Sequence, residues 1–176
     1  MRWCTGVVLA ASLLAATMSL TPANEAVAGD TRVDIGFRIA PVPLNYPAWA
    51  RNDVGRGSYW VNAVGGCNDC HSSQPYTANG NPYEGKKTKV NAAKYLAGGG
   101  VFGPFVSPNL TPDRNGLPAG LTLKKFISTI RTGKDPDGSN RILQVMPWPI
   151  YANMSDSDLT DIYRYLRAIP SLPGNR

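Results

Sequence analysis

Apolar residues recur at helical spacing in three segments of the chain, 48–64, 123–132 and 156–168. In the middle segment the i, i+3, i+4, i+7 pattern runs through Leu123, Phe126, Ile127 and Ile130. The last segment carries an apolar stripe formed by Leu159, Ile162, Tyr163, Leu166 and Ile169. The first has a weaker periodicity, through Trp49, Val54, Trp60, Val61 and Val64. Each segment is therefore predicted to be an amphipathic helix.

Residues that favour helix ends flank these segments. Thr122 stands at the N-cap position of the middle helix, and Gly133 is well placed to end it. Ser155 opens a capping box for the last helix, and Pro170 stops that helix. Gly57 lies inside the first helix, where glycine lowers helix stability. We therefore expect another helix to approach closely at Gly57.

The rest of the chain has the composition of loops. Residues 29–47 are polar and proline-rich and are predicted to be an extended arm. Residues 72–103 and 107–120 are rich in glycine, asparagine and proline, with a short helical turn expected near 91–96 and a tight turn at 135–140. No internal repeat is visible. This pattern predicts an all-helical domain with long loops.

The N-terminal 28 residues have the features of a secretory signal peptide. Arg2 precedes an uncharged, mostly apolar run from Gly6 to Leu20, and Ala26 and Ala28 supply the small residues of a cleavage site before Gly29. The alternative is a retained membrane anchor, but the run is shorter than the about 20 residues that span a bilayer. We expect cleavage, an export to the periplasm, and a mature chain without a membrane span.

Composition restricts the chemistry further. The chain has 176 residues, of which 43% are hydrophobic and 17% charged, with a formal net charge of +6. These values are typical of one soluble globular domain. The single histidine excludes a zinc site with three histidine ligands and any site with two. Of the three cysteines, Cys4 lies within the signal peptide, so Cys67 and Cys70 remain.

Cys67, Cys70 and His71 form the motif C-x-x-C-H, which is the attachment motif of c-type haem. Two thiols three positions apart can reach the two vinyl groups of one haem, and the following imidazole can bind the iron. Three alternatives are less favourable. A disulfide at this spacing closes a very short loop and stabilises little. A redox C-x-x-C lacks a surrounding βαβ pattern. Zinc would have only three of its four usual ligands.

The sixth iron ligand follows by elimination. Without a second histidine, a methionine sulfur is the usual strong-field partner, and the mature chain offers Met146 and Met154. Pro147 and Pro149 follow Met146 and restrict its loop, which suits a ligand position. Met154 directly precedes the capping box and is expected to pack on that helix. Met146 is therefore the predicted ligand; core filling by Met146 and an open or differently ligated iron are the alternatives.

Three further motifs have simpler interpretations. The sequence GGGVFG at 98–103 fits G-x-G-x-x-G, but no strand precedes it and Pro104 follows, so we interpret it as a loop over the haem. The sequence DPDG at 135–138 lacks the glutamate of a calcium loop and is expected to be a turn. The basic run at 86–89 is too small for nucleic acid, so no nucleic-acid partner is expected. It is either a solvated loop or a steering patch for an acidic redox partner.

The chain resembles class I monohaem cytochrome c domains, and is similar to the cytochrome c domains of periplasmic alcohol and sugar dehydrogenase systems. The segments that carry the resemblance are GGCNDCHS at 65–72, YLAGG at 95–99, SPNLTPD at 107–113, KKFISTIRTG at 124–133, VMPWPIY at 145–151 and DLTDIYRYLRAIP at 158–170. They cover most of the chain after the signal peptide. The resemblance implies the class I fold, with four or five helices and long loops around one covalent haem.

The resemblance also implies roles for individual residues. Cys67 and Cys70 would form the thioether bonds, and His71 and Met146 would be the axial ligands. Gly57, with Tyr59 or Trp60, would cross the last helix near Tyr165. A proline carbonyl would accept a hydrogen bond from the proximal imidazole, with Pro75 and Pro82 as the candidates. Asn109, Thr111 or Trp148 would bind the haem propionates, which are costly to bury unpaired. The multihaem dehydrogenase subunits carry three motifs where this chain has one.

These inferences predict the following organisation: a signal peptide at 1–28, the arm at 29–47, a cytochrome c domain at 48–173 and a tail at 174–176. The predicted function is periplasmic electron transfer between a dehydrogenase and an oxidase or another cytochrome, without catalysis. Two alternatives stay open. The first is a haem enzyme, or a gas or redox sensor, with a dissociable methionine. The second is a cytochrome subunit bound permanently to a dehydrogenase.

Overall fold

The computed structural model describes Met1 and residues 29–174. Residues 2–28 of the predicted signal peptide and the last two residues of the predicted tail lie outside the described residues. The helices are α1 (Thr31–Ile39), α2 (Arg51–Tyr59), α3 (Cys67–Cys70), α4 (Leu123–Thr132), α5 (Trp148–Tyr151) and α6 (Asp156–Ala168). Two 3₁₀ turns, Ala48–Ala50 and Pro82–Glu84, and a π-helical segment, Trp60–Val64, complete the helical structure. The described chain is helix-rich, as the hydrophobic pattern predicts.

The centre of the fold is the crossing of α2 and α6. Gly57 makes this crossing possible, because a Cβ at this position would overlap the carbonyl oxygen of Asp161 and lie 2.7 Å from the Cβ of Tyr165. The Arg56 guanidinium adds a hydrogen bond of 2.7 Å from its Nε to the carboxylate of Asp161. The close helix approach expected at Gly57, near Tyr165, is confirmed. Val54 and Leu159, both fully buried, belong to the same apolar core.

The α1 helix corrects the prediction of an extended arm over residues 29–47. Asp30 caps it, with its carboxylate accepting from the backbone N–H of Arg32 at 3.1 Å. The helix packs against α2 at Gly36, where a Cβ would overlap the carbonyl oxygen of Gly55. Ser58 donates a hydrogen bond of 2.7 Å to the carbonyl of Gly36 across the same contact. This pairing of two glycines is a tertiary contact, which hydrophobic periodicity does not detect.

The α4 and α6 helices have the predicted bounds and caps. The hydroxyl of Thr122 accepts from the N–H of Lys125, and the hydroxyl of Ser155 accepts from the N–H of Asp158 at 3.1 Å. Gly133 ends α4 in the left-handed conformation, with φ of +65°. Phe126 on α4 packs against Tyr163 on α6, with ring centroids 5.6 Å apart. These two helices therefore enclose one side of the core.

The loops contain a little β-structure that the sequence does not predict. Strands β1 (Val101–Phe102) and β2 (Phe105–Val106) pair in an antiparallel hairpin within a region predicted to be loop. The glycine-rich run at 98–103 thus leads into a hairpin, and the helical turn expected near 91–96 is a turn. Within residues 29–174, no helix is long and apolar enough to cross a membrane.

Candidate haem-binding site

The C-x-x-C-H motif forms one helical turn directly after α2 and the π-helical segment. Gly66 caps α3 in the left-handed conformation, with φ of +55°. Cys67 and Cys70 stand at its two ends, and their thiols are not joined in a disulfide. Burial raises the pKa of the Cys67 thiol to about 12, so this thiol is protonated at neutral pH. The spacing places both thiols on one turn, as the haem interpretation requires.

His71 is 9% exposed, and its imidazole makes one hydrogen bond to a described residue, in the loop after the hairpin. Its Nδ1 lies 2.9 Å from the carbonyl oxygen of Pro108. A carbonyl only accepts hydrogen bonds, so Nδ1 carries the proton and Nε2 keeps its lone pair. Burial lowers the pKa of His71, although the bond to Pro108 acts in the opposite direction. The imidazole is therefore held in the neutral form that binds metals through Nε2.

Pro108 replaces the two prolines that the resemblance offered for this bond. The carbonyl of Pro75 instead accepts from the side-chain amide of Asn68, at 3.1 Å. Pro82 begins a 3₁₀ turn on the exposed loop. The partner thus lies 37 positions after the histidine, where the intervening loop has returned to it. No sequence pattern marks that return.

The two residues inside the motif anchor the following loops, which the sequence reasoning missed. The hydroxyl of Ser72 donates to Asn68 Oδ1 at 2.7 Å and accepts from the N–H of Leu96 at 3.0 Å. The two carboxylate oxygens of Asp69 accept from the phenols of Tyr76 and Tyr83, at 2.6 Å and 2.7 Å. The hydrogen bond to Asp69 raises the pKa of the exposed Tyr83. Asn68 and Asp69 therefore fix the loops that follow the cysteines.

Met146 is half-buried and packs against the core. The α5 helix that follows is tied to the cysteine segment, because the phenol of Tyr151 donates to the carbonyl of Gly65 at 3.1 Å. A Cβ at Gly65 would lie 3.0 Å from the sulfur of Cys67 and 3.8 Å from the Tyr151 oxygen. The structure thus brings the segment after Met146 beside the first cysteine. Met154 also packs on the core, as expected for a residue preceding α6.

Trp148 fixes the Met146 loop from its other side. Its ring lies on Gly133, where a Cβ would overlap the indole. Its backbone N–H donates to the carbonyl of Met146 at 2.8 Å, and its indole N–H donates to the carbonyl of Leu143 at 3.2 Å. That indole has one N–H, so a bond from Trp148 to a propionate would require it to change partner. The propionate role of Trp148 stays a prediction.

Asn109 is also engaged within the protein. Its Oδ1 accepts from the N–H and from the hydroxyl of Thr111, both at 2.8 Å. Its Nδ2 donates to the carbonyl of Leu172 at 2.9 Å. A cavity of about 640 Å³ is lined by residues near Asn109 and near Leu172. Cys67, Cys70, His71 and Met146 do not line it. The propionate role of Asn109 likewise stays a prediction.

A buried polar network lies next to Cys67 and was not predicted. The phenol of Tyr95 donates to Asn62 Oδ1 at 2.5 Å and lies 2.8 Å from the phenol of Tyr165. Asn62 Nδ2 reaches the Tyr165 oxygen at 3.2 Å and the Ser58 hydroxyl at 3.1 Å. Burial raises the pKa of both tyrosines, so both phenols are protonated and the network is neutral. It joins the 92–96 turn to α2 and α6.

The residues present fit a haem. A neutral imidazole with a free Nε2, and a methionine that packs on the same core as Cys67, would supply the two kinds of axial ligand, and the thiol pair would supply attachment points. Three large apolar side chains next to these groups in the chain are exposed: Val64, Val145 and Ile150. The buried indole N–H of Trp60 has no partner among the described residues. Over the same part of the chain, no three His, Cys, Asp or Glu side chains converge as they do at a protein-bound metal ion.

Comparisons with known proteins agree with this chemistry. The chain is 28% identical over 120 residues to a "Diheme cytochrome c-type" protein of Cereibacter sphaeroides. It is 30% identical over 112 residues to the cytochrome c subunit of the quinone-dependent alcohol dehydrogenase of Gluconobacter oxydans. It is also 30% identical over 112 residues to the gluconate 2-dehydrogenase cytochrome c subunit of Pantoea cypripedii.

These matches cover 66%, 64% and 64% of the chain, and 35%, 20% and 22% of the respective relatives. The chain thus spans about a third or less of the length of the curated relatives it matches. No protein-family model and no solved structure matches the chain. The matched relatives are all c-type cytochromes, and two are subunits of dehydrogenases. Over about two thirds of its length the chain is therefore similar to c-type cytochromes, among them the cytochrome c subunits of an alcohol and a gluconate dehydrogenase.

Proposed function

We propose that the chain is a monohaem c-type cytochrome of the class I fold that transfers single electrons in the periplasm. Its donor would be a dehydrogenase, and its acceptor an oxidase or another cytochrome. The observation that carries the proposal is the state of His71. Next to two free thiols, its Nδ1–H is bonded to the carbonyl of Pro108 and its Nε2 is left for a metal.

Four residues would hold the haem. Cys67 and Cys70 would form its two thioether bonds, while His71 Nε2 and the sulfur of Met146 would be the axial ligands. The bound haem supplies one-electron exchange between the ferric and ferrous states of its iron. The role of the protein would be to keep both axial positions filled. A filled sixth position excludes substrate from the metal, so we expect an electron carrier and not an enzyme.

The predicted signal peptide at 1–28 and the covalent attachment motif both support a periplasmic location. A basic loop supports an acidic redox partner. Lys86, Lys87 and Lys89 are exposed, and none forms an ion pair with a described residue. Tyr83 on the same loop is bonded to Asp69, beside Cys70. Positive charge near the haem attachment would accelerate encounter with an acidic surface, and less so at high salt.

A second candidate is a cytochrome subunit that stays bound to a dehydrogenase. The names of two relatives favour it, because they are subunits of alcohol and gluconate dehydrogenases. Affinity purification of the tagged chain from its own cells separates the two. A stoichiometric dehydrogenase that survives gel filtration indicates a subunit, and a monodisperse cytochrome alone indicates a free carrier.

Covalent haem attachment tests the proposal directly. The wild-type protein, expressed in a periplasm with haem-attachment machinery, is expected to keep its haem absorption after denaturing electrophoresis. The Cys67→Ala/Cys70→Ala double variant is expected to lose it, because no thiol remains to form a thioether. Ser72→Ala is the matched control in the same segment and should retain the haem. A denatured wild-type chain without haem would contradict the proposal.

A further inference from the structure

Contacts on two sides hold the Pro108 carbonyl, which accepts the hydrogen bond from His71. On one side, Gly98 donates its N–H to the carbonyl of His71 at 2.8 Å. Gly98 adopts φ of +77°, and a Cβ there would lie 2.6 Å from the backbone nitrogen of Asn109 and 2.7 Å from the carbonyl carbon of Pro108. The peptide that carries the acceptor therefore lies directly against Gly98, which is itself hydrogen-bonded to the backbone of His71. This contact fixes the distance from the loop to the histidine.

On the other side lies the segment after α6, residues 169–174, which we call the C-terminal strap. Asn109 Nδ2 donates to the carbonyl of Leu172, and the N–H of Leu172 donates to the hydroxyl of Thr111 at 3.1 Å. The hydroxyl of Ser171 donates to the carbonyl of Pro112 at 2.6 Å. A Cβ at Gly174 would lie 2.5 Å from the Cβ of Asn109. The strap is thus bound along the 108–112 loop.

Asn109 contacts both sides, because its backbone nitrogen lies against Gly98 and its side-chain amide donates to the strap. Its carbonyl oxygen closes a turn by accepting twice from Thr111, and its amide nitrogen holds the strap. It directly follows Pro108, so the rotation of the Pro108 carbonyl depends on the conformation of Asn109. The polar atoms of this side chain are therefore used to shape the loop behind the histidine.

We propose that Asn109 and the C-terminal strap are positioning elements for the proximal histidine, which set its strength as an iron ligand by holding the Pro108 carbonyl on Nδ1–H. The inference rests on the proposed function, with His71 as an axial ligand. When a carbonyl accepts a hydrogen bond from Nδ1–H, the imidazole gains electron density. It then donates electrons more strongly to the iron, which favours the ferric state. Loosening the strap should weaken that bond and raise the reduction potential.

The test compares the reduction potentials of neutral variants of the haem-loaded, full-length protein. Asn109→Ala is expected to raise the potential clearly above that of the wild type. Asn109→Ser keeps an oxygen that can accept from Thr111 but loses the bond to Leu172, so its potential should be intermediate. Asn45→Ala, an exposed site whose side chain makes no hydrogen bond to a described residue, is the matched control and should leave the potential unchanged.

Ser171→Ala separates positioning from direct contact with the haem. It loosens the strap without touching a residue predicted to bind haem, and it should raise the potential in the same direction as Asn109→Ala. If Asn109→Ala does not fold, Asn109→Ser and Ser171→Ala still decide. The proposal would be overturned if folded Asn109→Ala had the same reduction potential as the wild type. It would also be overturned if Asn109→Ser and Ser171→Ala both did. A shift at Asn109 with none at Ser171 would overturn it as well, because that result would indicate a propionate contact. A wild-type chain that binds no haem would refute the proposed function instead.

Discussion

The network of Tyr95, Asn62 and Tyr165 predicts that two similar substitutions have different costs. Both tyrosines are essentially fully buried, at 1% and 0% exposure, so Tyr→Phe removes one buried hydroxyl in each case. Tyr95 donates its only proton to Asn62 Oδ1. The proton shared between the two phenols must therefore come from Tyr165. The directions of these hydrogen bonds decide which variant leaves groups unpaired.

Tyr95→Phe leaves two groups without a partner. Asn62 Oδ1 loses its donor, and the Tyr165 hydroxyl loses its acceptor. At about 1–3 kcal/mol for each buried unpaired group, and allowing for partial relaxation, the variant should lower the free energy of unfolding by about 2–4 kcal/mol. In Tyr165→Phe, Tyr95 still donates to Asn62, and Asn62 Nδ2 keeps Ser58 as its acceptor. Its expected cost is about 1 kcal/mol.

Urea unfolding of the haem-loaded proteins, followed by far-ultraviolet circular dichroism, measures both costs. Tyr59→Phe is the matched control, because the hydroxyl of this half-buried tyrosine makes no hydrogen bond within the described chain. Its free energy of unfolding should stay within about 0.5 kcal/mol of the wild type. Equal costs for Tyr95→Phe and Tyr165→Phe, or a larger cost for Tyr165→Phe, would refute the assigned donor directions.

Three further predictions concern other contacts. Gly57→Ala should lower the free energy of unfolding by about 1–3 kcal/mol in urea titrations, because its Cβ overlaps α6; an unchanged value would mean that the helices separate freely. Gly133→Ala should cost about 1 kcal/mol or more for the left-handed conformation and should displace Trp148, seen as altered tryptophan fluorescence. Asp69→Asn should lower the pKa of Tyr83 in an ultraviolet tyrosinate titration, since the carboxylate favours the protonated phenol; an unchanged curve would show that the bond does not form in solution.

The parts of the fold that the sequence predicts are those where local signals coincide. The α4 and α6 helices have an apolar stripe together with caps at Thr122, Gly133 and Ser155, so their bounds follow from short-range chemistry. The C-x-x-C-H motif is contiguous, so its chemistry is visible without the fold. Gly57 is predictable because a glycine inside a helix needs a packing reason, and the α6 crossing supplies it.

The elements that were not predicted depend on contacts between distant residues. The α1 helix buries Val33 and Gly36 and is held by its glycine contact with α2. Its apolar residues stand at every second position from Val33 to Ile39, a spacing that does not indicate a helix. The Pro108 carbonyl reaches His71 through loop geometry, and Pro75 and Pro82 are only nearer in the sequence. The strands of the hairpin are two residues long, too short for an alternating pattern.

The central claim, that His71 and Met146 hold an iron between them, is tested most directly by the far-red absorption of the purified ferric protein. We predict a weak sulfur-to-iron band in the wild type that persists in Met154→Ala and disappears in Met146→Ala. Met154→Ala is the matched control, because Met154 also packs on the core but precedes α6. A wild-type ferric spectrum of high-spin character without this band, or a band that survives Met146→Ala, would contradict the account.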